Sequence, residues 1–169
     1  MRKKRRKKAL ITSGLRNTQF KFERAKMDIR ELNFYYIDTI KKLMVDIFSK
    51  EPWNDTWTDE QLHLYVSELI NNKNSLSFGL FENNNMIGMA LGHIKHWYEG
   101  TEYWIDEFGV IPEKQQCGIG TEFLTGIEKA LALTGLYVEF ALKHVDRSER
   151  SNAGLVAIDR CKIIRFAFL

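Results

Sequence analysis

Apolar residues recur at two different periods along the chain, and the changes of period mark its elements. Residues 28–33 read as a short strand, and Ile37, Ile40, Leu43, Met44 and Ile47 then return at spacings of three and four, which predicts an amphipathic helix. Glu51-Pro52-Trp53-Asn54-Asp55 breaks that helix. Thr58 followed by Asp59, Glu60 and Gln61 is a capping box, and Leu62, Leu64, Tyr65, Leu69 and Ile70 supply the apolar face of a second helix that ends at Asn71-Asn72. A meander follows. Residues 75–82 and 86–97 read as strands joined by Asn83-Asn84-Asn85, which tolerates the left-handed backbone of a tight hairpin. Tyr98-Glu99-Gly100 turns the chain into a third strand over 101–110. After a loop over 112–117, residues 118–134 predict a helix with Ile119, Phe123, Leu124, Ile127, Leu131 and Leu133 as apolar positions and Gly135 as its C-cap. Residues 136–142 read as a fifth strand, 161–169 as one more, and no internal repeat is visible.

Composition fits this pattern. With 169 residues, 44% hydrophobic and 28% charged, two prolines and two cysteines, the chain is a single globular domain rather than a disordered, collagenous or disulfide-stapled one. A chain of this length buries roughly 70% of its unfolded surface and needs no staple. Cys117 and Cys161 lack C-x-x-C spacing and suit a reducing compartment, so the expected location is cytoplasmic. Together with His63, His93, His96 and His144 they do not offer zinc-finger spacing, and no metal is expected. The apolar stretch Ala9-Leu10-Ile11 is too short for a signal sequence, and no segment approaches a membrane span.

Charge is divided unevenly. Residues 1–26 hold 11 Lys/Arg against Glu23, or +10, and the remaining 143 residues carry −7. The run Arg2-Lys3-Lys4-Arg5-Arg6-Lys7-Lys8 repels itself and is expected to be a solvated, disordered tail. It either binds nucleic acid or lies upstream of a natural start at Met27 without a function of its own. Residues 27–169 form the working domain.

Candidate chemistry is concentrated between Trp104 and Thr121. Gln115-Gln116-Cys117-Gly118-Ile119-Gly120 opens a helix whose first amides have no intrahelical partner, and such a terminus attracts anions. Glycines 118 and 120 would let a diphosphate approach those amides, and they would equally let the helix pack closely on a sheet.

Phe108-Gly109-Val110 leading to Gln115-x-x-Gly118-x-Gly120 resembles the acetyl-CoA signature of the GCN5-related N-acetyltransferases, and the order of elements over residues 27–142 is similar to theirs. The resemblance implies an α/β fold: one domain of this type, with a mixed, mostly antiparallel sheet flanked by helices and an atypical or truncated C-terminal part. It implies acetyl-CoA as co-substrate. The diphosphate would lie on the amides of Gln116, Cys117, Gly118, Ile119, Gly120 and Thr121 beside Gln115, and the pantetheine arm along the backbone of Phe108 and Val110, with glycine at 109 leaving room. Gln116 and Cys117 stand where glycine and a basic residue are common, a change that a backbone cradle tolerates.

Amine acetylation needs a base, and Asp106 and Glu107 lie on the strand beside the expected thioester. Strand alternation would point them to opposite faces. Ile105-Asp106-Glu107-Phe108 resembles the segment of aminoglycoside 6'-N-acetyltransferases that carries their proposed base, which favours Asp106, with Glu107 next. The acceptor wall would include Trp53, Asp55 and Trp57, with Tyr98 and Glu99 at the end of the meander, although Trp53 could equally be core. The −7 body suits a small cationic amine, whether an aminoglycoside, a polyamine or a peptide N-terminus. A catalytically impaired CoA-binding module with an RNA-binding tail is the contrasting class.

The C-terminal segment, residues 143–169, departs from the family. Asn152-Ala153 is present, but no tyrosine follows Tyr137 to protonate the leaving thiolate. Either water, Ser148 or Ser151 does this, or residues 143–169 are not the family's tail. A missing last strand would leave an edge that invites a homodimer.

Overall fold

The computed structural model describes residues 20–21, 27–51, 53–98, 100–132 and 166–167. The basic run, the strand expected at 136–142, Gly135, the serines at 148 and 151, and Glu99 lie outside the described residues.

Among the described residues six strands form one sheet in chain order: β1 Phe20–Lys21, β2 Met27–Leu32, β3 Ser77–Glu82, β4 Asn85–Trp97, β5 Gly100–Val110 and β6 Phe166–Ala167. Neighbours run antiparallel except β5 and β6, which are parallel. The α-helices among the described residues, α1 Ile37–Phe48, α2 Asp59–Asn71 and α3 Ile119–Ala132, cover its two faces. Phe123, Leu124, Ile127 and Leu131 of α3 pack with Ile29, Phe78, Tyr103 and Phe108 on one face. Ile40, Met44, Phe48, Leu62 and Val66 of α1 and α2 pack with Phe81, Met89 and Leu91 on the other. Each such side chain contributes about 1.5–3 kcal/mol on burial.

The apolar periodicity of α1 and α3 translates directly into buried faces. In α2 the buried residues are Leu62, Val66 and Ile70, while Leu64 is exposed, because a spacing of four follows the ridge that faces α1 and the sheet. Thr58 caps α2 as a capping box, its Oγ1 accepting from Gln61 N at 3.2 Å and its N donating to Gln61 Oε1 at 3.0 Å. The β3–β4 hairpin turns through Asn83 and Asn84 at φ 50 and 67°, the left-handed region that asparagine tolerates.

Two bulges interrupt the meander. Leu80 pairs with Gly88 but Phe81 with Met86, so Ile87 is extra in β4. Leu91 pairs with Glu107 but Gly92 with Ile105, so Asp106 is extra in β5. A bulge bends its strand and re-aims the side chains that follow it.

Candidate active site

The second bulge corrects the expectation that Asp106 and Glu107 face opposite sides. An extra residue breaks the two-residue alternation, and both carboxylates come to the face covered by α2. Tyr65 of α2 donates its hydroxyl to Glu107 Oε1 at 2.5 Å, and Asp106 lines a cavity together with Leu69 and the turn that follows α2.

The two acids differ in surroundings. Glu107 is 1% exposed, and the hydrogen bond from Tyr65 offsets part of the cost of burying a carboxyl group. Asp106 keeps 20% of its side chain exposed, with Oδ2 lying 2.8 Å from His93 Nδ1. His93 and Asp106 border a cavity of about 430 Å³ whose other polar lining is Asn72, Lys73, Asn74 and Ser75. Neither His93 nor Tyr65 was singled out for catalysis from the sequence. The signal for His93 lay in the register of the hairpin, where it stands opposite Trp104 and diagonal to Asp106.

The expected acceptor-wall residues are dispersed. Trp57 stacks on Tyr65 at 5.2 Å and 20°, which sets it one ring away from the Glu107 carboxyl. Trp53 packs edge-on against Phe48 at 6.1 Å and belongs partly to the α1–α2 core. Asp55 N donates to the Phe48 carbonyl at 2.9 Å, closing the loop that follows α1. Tyr98, 83% exposed, stands at the tip of the β4–β5 hairpin.

Beyond β5, Gln115 Nε2 donates to the Val110 carbonyl at 2.8 Å, and Lys114 Nζ pairs with Glu82 Oε2 at 2.7 Å. These contacts pin the segment that leads into α3. Gln116 and Gly118 adopt φ 58 and 79°. The first helical bond is Glu122 N to Gly118 O at 3.1 Å, so the amides of Ile119, Gly120 and Thr121 precede it and point out of the helix. A Cβ on Gly118 would meet no atom within 4 Å, so the turn that precedes these amides is open, and anions are favoured at such a helix start. The two glycines differ: Gly118 is exposed in a left-handed turn, whereas Gly120 is buried. Cys117 is exposed.

Glycine at 109 has a different reason from the one expected. A Cβ there would lie 3.0 Å from Ile47 Cδ1, so the missing side chain admits α1 rather than a ligand. Phe108 and Val110 are buried, and β6 pairs in parallel with Phe108 and Gly109 along the β5 edge that the pantetheine arm was expected to use.

A bulged strand bearing two acids therefore runs into a left-handed loop and a helix start within one α/β domain. The family model described as Acetyltransferase (GNAT) family matches residues 37–155. The chain belongs to that family and is an acetyl-CoA-dependent N-acetyltransferase. No curated protein matches it in sequence.

Among solved structures, the possible acetyltransferase from Clostridium difficile 630 aligns with TM-score 0.59 at 16% identity, covering 72% of this chain and 82% of that one. An aminoglycoside acetyltransferase from an uncultured soil metagenomic sample, in complex with sisomicin, aligns with TM-score 0.56 at 19% identity over 78% of this chain and 92% of that one. AAC(6')-Iy in complex with a bisubstrate analogue aligns with TM-score 0.53 at 18% identity, over 72% and 82%. At these identities the likeness is one of fold. Among the described residues no group of three or more His, Cys, Asp or Glu is arranged to hold a metal, and no helix is long and apolar enough to cross a membrane.

Proposed function

We propose that this acetyltransferase acts on a primary amine of a small, cationic, hydroxyl-bearing substrate, with an aminoglycoside favoured and its 6'-amine the favoured position. The observation that carries this reading is the cavity beside the β5 bulge, where Asp106 offers a carboxylate to an ammonium and Asn72, Asn74 and Ser75 offer hydrogen bonds to hydroxyls. Glu107 is buried beneath Tyr65 whereas Asp106 borders the cavity, so Asp106 is the acid that bears on proton removal. The −7 body favours cationic acceptors over neutral ones. Two of the fold neighbours are aminoglycoside acetyltransferases.

The amides of residues 116–121 would hold the CoA diphosphate, with Gln115 fixing the loop, and the β5 edge at Phe108 and Val110 would take the pantetheine arm. Acetyl-CoA supplies the thioester carbonyl carbon as electrophile. Trp57, stacked on Tyr65, would flank the acceptor, with Trp53, Asp55 and Tyr98 as further wall residues.

A thiol-release assay with acetyl-CoA against aminoglycosides, spermidine and short peptides tests the substrate class. Turnover is expected with aminoglycosides, with mass spectrometry placing one acetyl group on an amine. Faster turnover with peptides would overturn the substrate reading. Acetyl-CoA at 100 times its dissociation constant should add about 2.7 kcal/mol to stability.

A further inference from the structure

We propose that His93 is the base that takes the proton from the incoming amine, and that Asp106 orients it. The assignment rests on the acetyl-transfer reading of the same cavity.

Three observations on this chain's own residues converge. His93 Nδ1 lies 2.8 Å from Asp106 Oδ2, and an ionised carboxylate only accepts hydrogen bonds, so in the neutral ring this contact places the hydrogen on Nδ1 and the lone pair on Nε2. No hydrogen bond engages Nε2 among the described residues, and the imidazole borders the cavity with 34% of its side chain exposed. The imidazole neighbours the Trp104 indole across the strand pair, with ring centroids 6.3 Å apart and planes at 34°. Trp104 is itself fixed by donating Nε1 to Glu102 at 2.6 Å and by Lys95 Nζ over its ring at 4.0 Å. The bulge sets the couple, since Asp106 is the residue that the ladder skips. A base oriented by a carboxylate through its far ring nitrogen is the arrangement that activates nucleophiles in hydrolases of unrelated folds.

The proton account closes. The ammonium gives one proton to His93 Nε2, and the freed lone pair forms the N–C bond to the acetyl carbon as the C–S bond breaks with its electrons going to sulfur. The second nitrogen proton leaves with the thiol, and the imidazolium, held by Asp106, returns its proton to solvent. The charged groups that face the imidazole are Asp106 from β5 and Lys73 from the turn after α2, with Lys95 and Glu102 one ring away at Trp104.

The test compares wild type, His93→Gln, His93→Ala, Asp106→Asn and Asp106→Glu for kcat/KM against pH, for acetyl-CoA affinity, and for histidine 15N chemical shifts. A base must be unprotonated to act, so the wild-type kcat/KM should show an acidic limb. His93→Gln should lose that limb and about 10²-fold or more in kcat/KM while binding acetyl-CoA as before. Added imidazole should restore part of the rate of His93→Ala, an effect that a structural role would not produce. The 15N shifts should report hydrogen on Nδ1 in wild type and a mixed tautomer in Asp106→Asn, and Asp106→Glu should recover part of the Asn loss. A His93→Gln enzyme that keeps the wild-type rate within about threefold, with the same pH limb, overturns the assignment alone. A wild type that binds acetyl-CoA but acetylates no amine overturns the acetyl-transfer reading and this assignment together.

Discussion

The carbonyl oxygen of Trp104 occupies the place a side chain on Gly92 would need: a Cβ at position 92 would come to 2.1 Å from it and 3.1 Å from Ile105 Cα. The bulge at Asp106 brings the two backbones this close, and the Gly92 amide donates to Ser77 Oγ at 3.2 Å. Gly92→Ala should therefore lower stability by about 2 kcal/mol, because backbone rather than a flexible side chain must move. The same shift displaces Asp106 and His93, so kcat should fall by about 10²-fold with acetyl-CoA binding retained. Denaturant melts and steady-state kinetics on one preparation check both, and a variant of wild-type stability would show that the bulge tolerates a methyl group.

Tyr65→Phe removes the hydroxyl that donates to the buried Glu107 carboxyl while keeping the ring stacked on Trp57. A stability loss of about 1–3 kcal/mol is expected, the cost of depriving a buried acceptor of its donor. Glu107→Gln keeps the volume, and its kcat/KM should fall far less than that of Asp106→Asn. Equal losses in the two would return Glu107 to the chemistry.

The helices and the meander were legible because their apolar periods survive burial: Ile40, Met44 and Ile47, or Phe123, Ile127 and Leu131, are spaced by the helix itself. The loop at Gln115–Gly120 was legible because glycines mark left-handed turns and open helix ends. The relation between Asp106 and Glu107 was not. Strand alternation assigns them to opposite faces, and the single skipped residue that reverses this depends on Gly92 in another strand. Tyr65 was read as part of an apolar face, since a phenol at a core position shows its hydrogen bond only when β5 lies beneath it. His93 lay within reach, because the Trp97–Gly100 pairing at the hairpin already sets it diagonal to Asp106.

Lys41 Nζ reaches Asp59 Oδ1 at 2.6 Å, tying α1 to the first turn of α2. The hydrogen bond from Lys41, and then its charge, hold the Asp59 carboxyl below its ordinary value. A carboxyl lowered by folding stabilises at pH above its unfolded value and loses that contribution as pH falls through the folded one. Asp59→Asn should thus melt slightly below wild type at neutral pH, with the gap closing in strong acid. Asp59 is exposed, so the gap should also shrink with added salt. Thermal melts across pH and salt read it directly, and a gap that widens in acid would mean that another group is responsible.

Gly118 sits at φ 79° with open space around it, so Gly118→Ala introduces backbone strain without a clash. The cost should be about 1 kcal/mol, expressed at the turn that aims the first amides of α3. Acetyl-CoA affinity should fall by more than stability does, because relief of the strain rotates those amides away. Isothermal titration beside thermal melts separates the two, and unchanged affinity would place the diphosphate elsewhere.

Backbone groups on one strand edge pair with one partner at a time, and β6 lies on β5 at Phe108 and Gly109, where the pantetheine arm is proposed to bind. A ligand that must displace a docked segment binds with an affinity reduced by the fraction of molecules in which the edge is open. Ending the chain at Ile164 removes Phe166 and Ala167 and should tighten acetyl-CoA binding by about threefold or more on that basis. 3'-Phosphoadenosine 5'-diphosphate, which is CoA without the pantetheine arm, should bind both chains equally, because its proposed contacts lie at the α3 terminus alone. Equal affinity of both chains for acetyl-CoA would mean that the arm runs off this edge and that β6 and the co-substrate occupy the domain together.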